Sequence, residues 1–189
     1  MQINDDQPVI DCSFTLEQAL QGSDAPDEII NQLDIVDVEY FSFDGKLHKG
    51  QLVVHKKLVN DIRKIFQLIK NEKFPVSKVI PIVKYKWSDN ESMLDNNTSA
   101  FNYRLVAGTN RMSNHSYGKA IDINPFLNPH IKNDIYSPKG SEYNTEKPGT
   151  IGSNHFLVTE FKKLGWEWGG DWTSLKDYQH FEKKFTDKK

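Results

Sequence analysis

Three observations predict a single-domain α+β protein. Partly alternating runs over Val36 to Phe43 and Lys46 to Val54 flank Asp44-Gly45, a hairpin turn signal. The strongest helical periodicity in the chain, carried by Leu58, Ile62, Ile65, Phe66 and Ile69, follows that hairpin instead of joining two parallel strands. Strands and helices then fail to alternate in the regular manner of βαβ units, which points to an α+β domain instead. At 189 residues the chain is long enough to bury one ordinary core.

Residues 1–35 read as an acidic amino-terminal extension, with short helices expected over Thr15 to Leu20 and Pro26 to Leu33. Pro26 at the first turn, with Asp27 and Glu28 beside it, suits the positive end of a helix. Cys12 falls in this stretch and is expected to be a free thiol in a mobile segment. The main domain spans 36–183 and opens with the hairpin. A core-packing helix from Leu58 to about Lys73 follows, and Pro75 ends it. Val76 to Tyr85 reads as a buried strand, which Pro81 confines to an edge or a bulge. Trp87 to Ser99, rich in Asp, Asn and Ser, reads as a surface loop.

Ala120 to Ile123 suits a short strand carrying Asp122, and Asn124-Pro125 terminates it. The irregular stretch Phe126 to Pro148 is long for a compact domain, which marks it as a site rim or lid. Asn154 is placed to cap a helix running to Leu164, with Gly165 to stop it. Residues 184–189 are a lysine-rich tail expected to fray.

Composition removes several functions. Lys plus Arg total 24 against 26 Asp plus Glu, a net charge of -2, so the basic bias that favours nucleic-acid backbones is missing. A single cysteine excludes an internal disulfide and a cysteine-built zinc cluster. No run approaches the roughly 18 apolar residues of a membrane span. Met1 to Cys12 carry acids where a signal peptide has a basic start and an apolar centre, so no signal peptide is visible in this sequence.

The chemistry concentrates in Ser113 to Asp122. His115 and Asp122 bracket a small-residue turn, and imidazole and carboxylate both ligate a divalent ion of zinc's borderline softness. A catalytic zinc takes three protein ligands, so a third is needed. His180 is the candidate, with Asp177 three residues earlier as general base, because a carboxylate beside polarised water takes its proton and later passes it to a departing amine. Read alone, each histidine is more often a packed or surface residue than a ligand. His130 and His155, in or beside the long loop, stay open as replacements, whereas His48 and His55 in the hairpin read as structural.

Ser113-x-His115-x-x-Gly118-x-Ala120-x-Asp122 resembles the first metal signature of the zinc D-alanyl-D-alanine carboxypeptidase and L-alanyl-D-glutamate endopeptidase family, and Asp177-x-x-His180 resembles its second. That family includes bacterial wall peptidases, vancomycin-resistance dipeptidases and phage endolysins, and shares a fold with the Hedgehog signalling domain. Gly165 to Trp172 is similar to the branch with Gly-Trp-x-Trp-Gly-Gly-Asp-Trp before the last histidine.

The resemblance implies a Hedgehog/DD-peptidase-like domain in which helices flank a small antiparallel sheet. It implies one Zn2+ per chain on His115, Asp122 and His180, with Asp177 as base. Arg104 matches an arginine that stabilises the oxyanion or holds a substrate carboxylate, and Ser113 either orients substrate or caps its own turn. Many relatives carry glutamate at the base, and the endolysin-type members share the aspartate. The implied activity is that of a cell-wall metallopeptidase, an exported or periplasmic hydrolase acting on peptidoglycan stem peptides. The rival from another class is an inactive Hedgehog-like zinc-binding recognition module.

Overall fold

The computed structural model describes residues 7–185, and every structural statement below concerns those residues. Strand β1 (Val9–Ile10) leads through α1 (Leu16–Ala19) and α2 (Asp27–Ile30) into the hairpin of β2 (Leu33–Phe41) and β3 (Leu47–His55). The hairpin is antiparallel, from Leu33 opposite His55 to Phe41 opposite Leu47, and Gly45 turns it with a φ of 75°. β1 adds to β3 in parallel, giving the order β1-β3-β2.

Thr15 and Gln18 close α1 with a reciprocal capping box. Ala19, Ala25, Leu33, Val53 and Phe101 then form a small apolar cluster, so the segment before the hairpin packs against it. Cys12, expected in a mobile stretch, is half-buried with Sγ 3.8 Å from the Val79 carbonyl, and burial pushes its thiol up to about 11.

Helix α3 (Val59–Asn71) covers one face of the hairpin, as its periodicity requires: Val59, Ile62, Ile65, Phe66 and Ile69 are buried against Val36, Val38, Tyr40, Leu52 and Val54. Each such side chain contributes about 1.5–3 kcal/mol by leaving water. The strand expected over Val76 to Tyr85 shrinks to β4 (Lys78–Val79), because Pro81 lacks an N–H and instead opens a 3-10 turn over Ile82–Tyr85. The loop expected from Trp87 to Ser99 contains α4 (Asp89–Leu94), capped by the Ser88 hydroxyl, and β5 (Asn97–Thr98), which pairs with β4.

β6 (Ala120–Asp122) follows. The long irregular stretch carries a hairpin of β7 (His130–Lys132) and β8 (Ile135–Ser137), turned by Asn133 and Asp134 at positive φ. Helix α5 (Phe156–Lys163) starts one residue later than expected, with His155 in place of Asn154 as its cap. β9 (Glu167–Trp168), β10 (Lys176–Asp177) and β11 (His180–Glu182) complete two further sheets, ordered β10-β7-β8 and β6-β11-β9. The architecture is mixed α and β, with several small sheets and few helices.

The sheet β6-β11-β9 positions the site. Its strands alternate, so Ile121 and Phe181 point into the core, where Phe181 stacks on Phe161 of α5 with ring centroids 4.0 Å apart. Asp122, His180 and Glu182 take the opposite face.

Candidate metal centre

Asp122 and His180 sit directly opposite each other across the antiparallel pair β6–β11, so their side chains share a face. His115 arrives from a 3-10 turn, Asn114–Tyr117, whose first residue is capped by Ser113: the hydroxyl oxygen accepts from the His115 N–H at 3.3 Å. Gly118 closes that turn at a φ of 62° and accepts a hydrogen bond from the His55 N–H at 2.9 Å. A Cβ there would lie 2.6 Å from the His55 nitrogen, so glycine lets the turn dock on β3 and holds His115 over the sheet.

The three side chains converge. His115 Nε2 lies 3.2 Å from His180 Nδ1 and 3.2 Å from Asp122 Oδ2, and His180 Nδ1 lies 3.0 Å from Asp122 Oδ1. Tetrahedral zinc with bonds of ~2.0–2.1 Å sets its ligand atoms about 3.3 Å apart, so the spacing fits the ion. The outer nitrogens fit as well. His115 Nδ1 donates to the Ala100 carbonyl at 2.5 Å and His180 Nε2 donates to Glu182 Oε2 at 3.0 Å, which turns the opposite nitrogen of each ring inward as a lone pair when the ring is neutral. Two inward lone pairs and a carboxylate repel one another unless a cation or a proton lies among them. Among the described residues, these three form the group able to share an ion.

The electrostatics have the same cause. Burial lowers the basicity of His180, but hydrogen bonds to Asp122 and Glu182 and the charges of Asp122 and Asp177 more than reverse this, and the imidazole is pushed up to about 10. Burial works against ionisation of Asp122, yet His115 and His180 hold its carboxyl well below the usual range. Glu182, likewise desolvated, is brought down to about 2 by His180 and by Asn114, whose Nδ2 donates to Oε2 at 2.7 Å.

Asp177 lies on β10, opposite His130. Its carboxyl is raised, first by burial and then by the charge of Asp122, against the opposing influence of His180, His130 and a 3.1 Å hydrogen bond from Gln179 Nε2. Arg104 is joined to the His115 turn through its backbone, where its N–H donates to Ser116 Oγ at 2.9 Å. Its guanidinium pairs with Asp89 of α4 at 3.0 Å, while the buried Nε has no partner among the described residues.

His130 faces Asp177 and not the ligand group, and His155 caps α5 by accepting from the Leu157 N–H at 3.3 Å. Sequence reasoning missed Glu182, although its position two residues after His180 on a strand puts both on one face. It also missed Asp89 and Gln179, for which no local spacing gives a signal.

A family model described as D-alanyl-D-alanine carboxypeptidase matches residues 107–183, a segment that holds all three convergent side chains and Asp177. Over this segment the chain is similar to that family. The likeness supports a hydrolase of the peptidase class. Arg104 lies three residues outside the matched segment, so its placement rests on its bonds to the His115 turn. No solved structure matches the chain. None of the helices is long and apolar enough to cross a membrane.

Proposed function

We propose that this protein is a zinc metallopeptidase that hydrolyses an amide bond in peptidoglycan stem peptides. The bond is of the D-Ala-D-Ala carboxypeptidase or L-Ala-D-Glu endopeptidase type, and the protein works outside the cytoplasm on a Hedgehog/DD-peptidase-like domain. The observation that carries this reading is the convergence of His115 Nε2, Asp122 and His180 Nδ1, with both outer nitrogens already committed to acceptors. A bound zinc ion supplies Lewis-acid polarisation of water and of the scissile carbonyl.

The chain's own groups do the rest. Asp177 takes a proton from the attacking water at its carboxylate and returns it to the departing amine. A carboxyl raised above its usual range is better matched to that two-way transfer near neutral pH. Gln179 fixes the Asp177 rotamer through its 3.1 Å hydrogen bond. Arg104, steered by Asp89 and retaining an uncommitted Nε–H, donates to the carbonyl oxygen as negative charge develops. Ser113 can still offer its hydroxyl hydrogen to substrate while its oxygen accepts in the cap of the His115 turn. No covalent enzyme intermediate is involved.

The test combines metal analysis with mass spectrometry of purified muropeptides after incubation. One zinc per chain and a new hydrolysis product are expected, and the product identifies the bond. Asp177→Ala should keep the zinc and lose about 10²–10⁴-fold in rate; full activity would remove Asp177 as base. Stoichiometric zinc with no product from any stem peptide would instead indicate a recognition module.

A further inference from the structure

A second concavity lies on the other side of the strand that carries Asp177. It is a cleft of about 600 Å³ whose walls include Tyr143, Thr150, Asn154, His155, Lys176 and Tyr178. Lys176 and Tyr178 flank Asp177 in sequence, and on an extended strand they take the face opposite to it. The turn Trp168 to Trp172 divides in the same way. Trp168 and Gly170 line the cleft, whereas the Trp172 ring sits 5.3 Å from that of the metal-site residue His180. One strand and one turn therefore separate the cleft from the metal centre.

The chemistry of the cleft is one-sided. No carboxylate lines it, and Lys176 is its charged residue. The Lys176 ammonium donates to the Gly170 carbonyl at 3.0 Å, which fixes the side chain and leaves two of its three hydrogens. Thr150 Oγ1 is buried without a hydrogen-bond partner among the described residues, in a residue only 5% exposed. Such a group costs about 1–3 kcal/mol unless a ligand or water satisfies it. The aromatic side chains are committed elsewhere. Tyr143 and Tyr178 stack on each other at 3.6 Å, the Tyr143 hydroxyl donates to the Ile151 carbonyl at 2.9 Å, and Trp168 Nε1 donates to the Tyr178 carbonyl at 3.0 Å. Trp168 is 2% exposed, so it offers no platform for stacking a sugar ring.

The groove between β2 and α3 is different. There Lys49 pairs with Asp37 at 3.0 Å and Lys70 with Glu39 at 2.7 Å, so both carboxylates face lysines and Arg63 is the remaining cation.

We propose that the cleft behind Asp177 is a carboxylate-binding subsite, with the Lys176 ammonium and the Thr150 hydroxyl as its donors. It would hold an acidic group of the substrate away from the bond that is cut. The identity of that substrate as a stem peptide, which carries free carboxylates along its length, rests on the peptidase reading above. The subsite itself rests on the cleft.

The test is an amide-resolved NMR titration of the zinc-loaded full chain with γ-D-glutamyl-L-lysine and with its diamide. Saturable shifts are expected at Thr150, Lys176 and Tyr178. Amidation of both carboxylates and Lys176→Met should each weaken binding by about ten-fold or more, the loss of one charge-assisted hydrogen bond. Thr150→Val should weaken it by about three- to ten-fold without lowering the Tm, because the substitution removes a buried unpaired hydroxyl. Equal binding of the diamide, shifts confined to His115 and His180, saturation of the cleft by a chito-oligosaccharide in place of the dipeptide, or no saturation below ~10 mM would each overturn the proposal. The readout needs no hydrolysis, so a protein that binds the dipeptide here and cleaves nothing would sink only the peptidase reading. One that cleaves muropeptides and leaves the cleft unshifted would sink only the subsite.

Discussion

His180 and His48 are each gripped by two carboxylates, yet they occupy sites of different kinds. His180 meets Asp122 at 3.0 Å and Glu182 at 3.0 Å, and His48 meets Asp11 at 2.8 Å and Asp44 at 3.2 Å. Both imidazoles are raised above the ordinary value of 6.5. The third partner differs. Beside His180 it is another inward-facing imidazole nitrogen, that of His115, whereas beside Asp11 it is the Tyr40 hydroxyl, which donates to the free carboxylate oxygen. At His48 both ring nitrogens are spent on acids, so a proton satisfies the cluster and it ties β1 to the hairpin. At His180 the acceptors outnumber the protons, an excess that a divalent cation could answer. Counting histidines and carboxylates does not distinguish the two; the direction of the third lone pair does.

Removing each histidine should separate them most sharply. His180→Ala should take bound metal from one per chain to none and abolish hydrolysis, as measured by elemental analysis and a muropeptide assay. His48→Ala should leave metal content and rate unchanged and destabilise the fold by about 1–3 kcal/mol, a Tm loss of roughly 2–4 °C for each kcal/mol. Metal loss in the His48 variant would mean that the amino-terminal latch shapes the site.

The hairpin and α3 were legible in the sequence because their evidence is local: a period of two, a turn dipeptide and a period of 3.6 lie within a few residues. The three convergent side chains were legible for another reason, since their residue types and the two motif spacings restrict the choice. Asp89, Gln179 and the Ala100 carbonyl were not legible, because each acts through a contact made only when distant segments fold together. Helix α4 carried a usable signal, a serine cap followed by acids at Asp89 and Glu91, but the polar composition of the stretch reads equally well as a loop. The strand expected through Pro81 failed because an apolar run satisfies burial in a 3-10 turn as readily as in a sheet.

Glu182 offers an intermediate perturbation, one that touches the histidine and not the ion. Glu182→Ala should weaken zinc about 10–100-fold in a competition titration, because His180 Nε2 loses the acceptor that sets its tautomer. Glu182→Gln keeps an acceptor oxygen and should recover part of that loss. Equal affinity in both variants would show that the ring is fixed by packing, with the Trp172 indole 5.3 Å from it as the nearest candidate.

The smallest effect is the dependence of stability on pH, and it divides the clusters once more. His180 in metal-free protein is raised to about 10, so its contribution is complete below 6.5 and disappears as pH climbs through the folded value. Glu182 runs the other way: its contribution is complete above 4.5 and disappears as pH falls through about 2. Chelator-treated protein should therefore lose Tm steadily between pH 6.5 and about 10. Zinc should flatten most of that slope, because the ion displaces the proton and makes the same contacts. His48 is also raised, by Asp11 and Asp44 against the effect of burial, and metal does not reach it, so a residual alkaline loss should persist with zinc present. That residue of slope should vanish in His48→Phe. If it persists there, or if zinc fails to flatten the main loss, the proton at His180 is not what the metal replaces.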